Sequence, residues 1–190
     1  LQDLKDFALV ETDVTIGGVA LSEGDVLLTD LLVTDGDVER FSATVAGSAS
    51  VSGTSTTFVD GSDIGITATM RGLDLVEDTT TIGGVNVTAG SLLVSLDAAD
   101  AALGTNNLSV AAHDVFALDF TTAGSTTSAS ASLFLDGSDI GLDTANENPY
   151  PITLVSGNAP PSNSVPGGQF VLEDSTLTFN SANSNLISVS

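Results

Sequence analysis

The sequence predicts an all-β protein made of two copies of one β-sandwich-like repeat, followed by a strand-forming C-terminal tail. Three observations carry this. Val, Leu, Ala and Ile supply most apolar residues, and Ser, Thr, Gly and Asp dominate the rest, which is the composition of strands and turns rather than helix surfaces. No segment holds a sustained apolar i, i+3, i+4, i+7 pattern with caps. Two signatures also recur at matching points along the chain.

The first signature is Thr15-Ile16-Gly17-Gly18-Val19, repeated as Thr81-Ile82-Gly83-Gly84-Val85 at an offset of 81 − 15 = 66. Leu9-Val10-Glu11 and Leu75-Val76-Glu77 precede the two copies at the same offset. The second is Phe58-Val59-Asp60-Gly61-Ser62-Asp63-Ile64-Gly65, repeated as Phe134-Leu135-Asp136-Gly137-Ser138-Asp139-Ile140-Gly141 at 134 − 58 = 76. The second copy therefore carries 76 − 66 = 10 extra residues, placed near Ala98 to Asn107 and expected to be a longer loop. The chain divides into a first repeat (1–72), a second (73–155), a linker (156–168) and a C-terminal strand segment (169–190).

In chain order, Ala8 to Ile16 is expected as a strand, turning at Gly17-Gly18 into Val19 to Leu21; Gly83-Gly84 makes the same tight turn, which needs positive φ. Asp25 to Leu32 follows Ser22-Glu23-Gly24, and Ser91 to Leu96 follows Ala89-Gly90 after Val85 to Val87. Val38 to Val45 and Val115 to Thr122 alternate. In the latter, Val115, Ala117 and Asp119 face one way and Phe116, Leu118 and Phe120 the other, toward a core. Ser/Thr-rich strands then run into the two Asp-Gly-Ser-Asp-Ile-Gly turns. Strands at this spacing suit a sandwich or barrel; propeller-blade-like repeats are the alternative, which two copies cannot close but several subunits together can. The three prolines between Ser156 and Gly168 mark an extended linker. Beyond it, Gln169 to Leu172, Ser175 to Phe179 and Leu186 to Val189 are strand-like, with apolar residues that demand burial.

The charge of 3 − 25 = −22 repels nucleic acid and anionic lipid and favours a medium rich in salt or divalent cations. The apolar content separates the chain from disordered acidic tails. Without cysteine there is neither a disulfide framework nor a thiolate metal site. No apolar run approaches the roughly 18 residues of a membrane helix, so no membrane insertion is expected. No signal-peptide pattern opens the chain, and any such segment is expected to have been removed or to lie outside it.

The twin turns are the principal site candidates. Asp60, Ser62 and Asp63, and again Asp136, Ser138 and Asp139, bring hard oxygen ligands together as Ca²⁺ requires. Ile64 and Ile140 stand where an EF-hand would place a third oxygen, and the other reading is a β-turn whose Asp caps the backbone and whose Gly supplies positive φ. Asp35-Gly36-Asp37 is a weaker candidate of the same kind. His113, beside Asp114, is the only histidine, and no Gly-x-Ser-x-Gly elbow exists; no enzymatic activity is expected. The absence of Trp and the single Tyr150 remove the usual stacking platforms for sugars. Lys5, Arg40 and Arg71 are too few to grip phosphate or nucleic acid.

These modules resemble repeats of very long secreted bacterial proteins. Phe170 to Val189 is similar to the opening of the cadherin-like repeats of large bacterial adhesins, through Glu173-Asp174, Leu177, Phe179, Asn183, Asn185 and Ile187-Ser188-Val189. The resemblance implies secretion, surface display and tandem architecture, and assigns no functional residue. The expectation is a secreted structural or adhesive protein of the cell surface: a filament subunit or adhesin module that forms a homo-oligomer or polymer through its C-terminal tail by β-strand addition. The alternative is a ligand- or glycan-binding module of a bacterial surface protein.

Overall fold

The computed structural model describes residues 4–30, 36–47, 50–142, 147, 149–154, 170–174 and 187–189. Every extended element pairs antiparallel, and there is no α-helix among these residues. The first half contains β1 (Leu4–Leu9), the hairpin β2 (Val14–Ile16) and β3 (Val19–Leu21), then β4 (Val26–Asp30), β5 (Val38–Val45) and β6 (Ser52–Val59). The second contains β7 (Met70–Leu75), the hairpin β8 (Thr80–Ile82) and β9 (Val85–Val87), and β10 (Leu92–Leu96). It continues with the hairpin β11 (Asp100–Leu103) and β12 (Leu108–Val110), then β13 (Val115–Thr122) and β14 (Ser128–Leu135). The first sheet has the order β1-β4-β5-β6 and the second β7-β10-β13-β14, one meander made twice.

The duplication extends to register. Phe7 pairs with Leu28 as Leu73 pairs with Val94, and a bulge interrupts both ladders just before, at Leu4/Asp6 and at Leu96/Ser95. Bulges between Val38 and Glu39 and between Ala43 and Val45 return between Val115 and Phe116 and between Phe120 and Thr122. A bulge shifts which side chains face a core, so keeping it preserves the inward set. The glycine pairs make the expected turns, with φ of 55° and 85° at Gly17 and Gly18 and 55° and 86° at Gly83 and Gly84.

The expected strand over Ala8 to Ile16 divides in two. At Val10 the chain turns off the sheet, held by hydrogen bonds to Asp25 O and from Gly24 N–H, and the β2–β3 hairpin folds over the core with Ile16 and Leu21 buried. The ten-residue insertion is a hairpin rather than a loop. Leu103 and Val110 enter the core from it, and Asn106 clamps it to Ala131 through the amide and carbonyl of that residue.

A third sheet has the order β15-β16-β17, from β15 (Pro149–Leu154), β16 (Phe170–Asp174) and β17 (Ile187–Val189). Ile152 pairs with Leu172 and Leu154 with Phe170, as Leu73 pairs with Val94 and Leu75 with Leu92. Phe170 then pairs with Val189, as Leu92 does with Leu118. This sheet thus repeats the first three strands of the others. Residues 149–154, placed by the sequence at the end of the second repeat, open it. The linker expected at 156–168 and the strand expected at Ser175 to Phe179 lie outside the described residues.

Each sheet packs on the next. One core joins Ala8, Leu27, Val38 and Phe58 of the first sheet to Leu73, Leu92, Phe116 and Leu118 of the second. A second core joins the opposite face of the second sheet, through Leu93, Val115 and Ala117, to Ile152 of β15. Both faces of β13 are therefore covered, where the alternation had directed only Phe116, Leu118 and Phe120 toward a core. Each sheet has a forward face, toward its successor, and a rear face. The forward face of the first meets the rear face of the second, and the forward face of the second meets the rear of the third.

Candidate functional site

The first strands of the three sheets, β1, β7 and β15, converge on a cleft of about 520 Å³ whose walls include Phe7, Leu9, Glu11, Asp74, Glu77 and Leu154. Carboxylates along this seam accept backbone N–H groups from a neighbouring first strand or from the turn after it. Asp6 accepts the Leu73 N–H of β7 at 2.8 Å and, at 3.5 Å, the Ile152 N–H of β15. Asp74 accepts the Leu154 N–H. Glu77 accepts from both Glu11 N–H and Thr12 N–H. Exposed edge N–H groups are templates for unwanted pairing, and these acceptors occupy them without adding a strand.

Burial controls the charge of this seam. Loss of hydration raises the Asp6 carboxyl above its usual range, against the lowering effect of the Leu73, Phe7 and Ile152 amides. Asp74 is pushed up to about 7 by burial, opposed by the Leu154 and Leu75 amides and reinforced by the negative charges of Asp6 and Glu77. β15 is locked down by more than the carboxylates. Ile152 rests where a side chain at position 72 would stand, Ser95 Oγ donates to the Pro149 carbonyl, and Arg71 lies 5.7 Å from the Tyr150 ring centre.

The turns at Asp60 and Asp136 occupy equivalent places, each joining a sheet's last strand to the first strand of its successor. Both are one 3₁₀ turn, Gly61–Ile64 and Gly137–Ile140, closed by a left-handed glycine, Gly65 or Gly141. Ser62 Oγ donates to Asp60 at 2.7 Å and Ser138 Oγ to Asp136 at 2.6 Å. Asp136 also accepts the Ser138 amide, and these bonds lower its pKa. Asp63 accepts the Thr127 N–H, which ties the first turn to the second sheet. Asp139 N–H donates to the Asp136 carbonyl. Asp37 and Asp114 accept the Gly61 and Gly137 amides, so the side chain of Asp37 serves the turn itself. Among the described residues, no group of three or more His, Cys, Asp or Glu side chains is arranged to hold a metal ion. His113 packs under the second turn, its carbonyl where a Cβ at Gly137 would lie and its Nδ1 buried without a hydrogen-bond partner.

Sequence reasoning placed both turns correctly and missed the seam. The missed signal is Phe7-Ala8-Leu9-Val10 against Leu73-Asp74-Leu75-Val76 and Ile152-Thr153-Leu154-Val155, a third and weaker copy of the first strand. Comparison of the chain with known protein families, curated proteins and solved structures finds no match.

Proposed function

We propose that this chain is a secreted structural or adhesive module of a bacterial cell surface, working in a self-associating assembly rather than as an enzyme. One observation carries the reading: a single sheet design is repeated with its register and bulges, and each copy packs on the one before. Side chains that recur between the copies, such as Leu27 and Leu93, lie in the contacts between sheets. The −22 charge supports an extracellular setting, where salt or divalent cations screen repulsion between modules. The likeness to tandem adhesin repeats points the same way.

Strand addition through the tail is part of this proposal. The third sheet repeats three strands of a four-stranded design, and among the described residues none stands beside β17 where β6 and β14 stand in the other sheets. A strand from a neighbour would complete the ladder there. Electron microscopy of the purified full chain tests the reading: ordered polymers without added ligand are expected, and a monodisperse chain at every salt concentration counts against it. Deleting residues 169–190 should abolish strand-added polymers.

A ligand-binding module is the second reading, favoured by the cleft, which combines apolar Phe7, Leu9 and Leu154 with the carboxylates of Glu11, Asp74 and Glu77. The Ca²⁺ reading of the twin turns is tested by melting the chain in EDTA and in millimolar Ca²⁺. Bound Ca²⁺ raises the melting temperature, by about 2.7 kcal/mol of stability at 100 times its dissociation constant, whereas turns saturated by their own hydrogen bonds leave it unmoved.

A further inference from the structure

The outer edges of β6 and β14 are copies of one edge with different surroundings. At the offset of 76, Gly53 and Ser55 of β6 correspond to Ala129 and Ala131 of β14, and the two strands meet β5 and β13 with the same bulges. Backbone groups alternate in direction along a strand, so the residues that turn N–H and C=O outward on β14 do so on β6 as well. On β14 these groups are taken. The Ala131 N–H donates to Asn106 Oδ1 at 2.9 Å, and Asn106 Nδ2 donates to the Ala131 carbonyl at 2.7 Å. The Thr105 N–H donates to the Ala129 carbonyl at 2.9 Å. Asn106 thus offers one acceptor and one donor to a single residue, as a paired strand does. Both residues belong to the insertion that the first repeat lacks. Among the described residues, nothing takes that place beside Gly53, Ser55 and Thr57; the contacts from Gly124 N–H to the Phe58 carbonyl and from Asp60 N–H to Thr127 Oγ1 lie at the far end of the strand. Open edges are ordinarily blunted by charge, proline or a covering segment. β6 has neither charge nor proline, in a chain of net charge −22. Its stretch from Gly53 to Thr57 is also free of the bulges that interrupt the ladder on either side.

We infer that the outer edge of β6 is a pairing surface for the β6 of a second copy of this chain, joined antiparallel about a two-fold axis at Ser55. The Asn106 clamp on β14 defines what the edge accepts: an extended backbone that presents one donor and one acceptor to the central residue. A second β6 fits for two reasons. Antiparallel pairing of a strand with itself is self-complementary, so one surface serves both copies. An uncharged strand is also where two strongly acidic chains meet with least repulsion. In the pair the two Ser55 residues exchange both hydrogen bonds, and Gly53 of each copy faces Thr57 of the other. Thr54 and Thr56, both exposed, then stand opposite each other across the axis as a β-branched pair. The Ser55 and Thr57 hydroxyls already donate to Glu39 of their own sheet. The inference rests on the self-associating reading proposed above and adds a contact separate from the tail.

The test is sedimentation velocity of the full chain from micromolar to millimolar concentration in about 1 M NaCl, where the screening length is about 3 Å. The parent is run beside Ser55→Pro, which removes an outward N–H and leaves the ladder to β5 its own bonds. Concentration-dependent association is expected, with the midpoint raised about tenfold or more in the variant, equivalent to about 1.4 kcal/mol. If Ser55→Pro melts earlier than the parent in dilute solution, the Thr54→Glu, Thr56→Glu double variant replaces it, setting like charges opposite each other across the axis at two exposed positions. The chain has no cysteine, so single Thr54→Cys and Thr56→Cys variants report the register directly. Mixed and oxidised, they should yield the mixed disulfide dimer in preference to either homodimer, because a non-hydrogen-bonded antiparallel pair brings its Cα atoms to about 4.5 Å. Association undiminished in the edge variants, or preferential homodimers of either cysteine variant, would overturn the inference. Association that survives the edge variants and disappears on deletion of 169–190 overturns the β6 contact while leaving the self-associating reading in place. A chain that stays monomeric under every condition overturns both.

Discussion

β1 and β7 are the same strand placed in two layers. They share a bulge, a partner register and the Leu-Val-Glu ending, yet β7 lies buried between two sheets while β1 presents one face outward. The difference extends across each sheet. Where the covered rear face of the second sheet has buried Phe116 and Ala131, the uncovered face of the first has Glu39 and Ser55 at the matching positions. Ladder geometry is thus set by local pairing, and the position in the stack sets which side chains a face tolerates. The apolar strip of Phe7 and Leu9 departs from that adaptation, since both side chains are exposed.

The sharpest way to break this comparison is to truncate matched residues. Phe116→Ala should cost about 3–5 kcal/mol and Leu73→Ala about 2–5 kcal/mol in denaturant unfolding. Phe7→Ala, in dilute monomer, should stay within about 0.5 kcal/mol. If Phe7→Ala cost as much as Leu73→Ala, the rear face of the first sheet would not be open.

A smaller effect is expected at position 72, which corresponds to Asp6 in β1. A Cβ there would come within 2.6 Å of Ile152 Cδ1 and Ser95 Oγ. Gly72→Ala should therefore loosen β15 at a cost of about 1–3 kcal/mol, read by faster amide exchange in β15 than in the first sheet.

Asp74 sharpens the comparison through pH. Its folded pKa of about 7 lies above the unfolded value near 3.8, so the folded chain binds the extra proton between them. The associated stability is fully present below about pH 4 and is lost as pH rises through 7. Relative to Asp74→Asn, the parent should gain up to about 1.4 kcal/mol per pH unit on acidification within that window. Parallel curves for the two proteins would disprove the buried carboxyl. The counterpart of Asp74 in β1 is Ala8, so this carboxyl has no equivalent at that position.

The smallest contrast lies in the turns. Asp136 accepts the Ser138 amide, whereas Asp60 makes no such cap bond and accepts only the Ser62 hydroxyl. Asp136→Ala should therefore lower the melting temperature more than Asp60→Ala. Because hydrogen bonding lowers the Asp136 pKa, its contribution is present above the unfolded value and fades as pH falls through the folded one. Equal shifts for the two variants would mean that the capping bond has no net effect.

What the sequence determined by itself was local. Period-two alternation placed β5 and β13 at their observed limits, because side-chain direction along a strand follows directly from residue order. The Gly-Gly pairs and the Asp-Gly-Ser-Asp-Ile-Gly segments located their turns, since only a few residue types accept the backbone angles those turns need. The offsets of 66 and 76 revealed two copies and the size of the insertion. Only the tertiary structure decided what covers what. The carboxylates of Asp6, Asp74 and Glu77 meet their amide partners across separations of 67, 80 and 66 residues. No spacing rule encodes contacts of that range. Both faces of β13 are covered because β15 returns to the second sheet, and β15 could not be read as a third first strand from Ile152-Thr153-Leu154 alone. Phe7 and Leu73 occupy one position of one motif, and a sequence records the motif. Whether that position is core or surface depends on the neighbouring layer, which exists only after the sheets have packed.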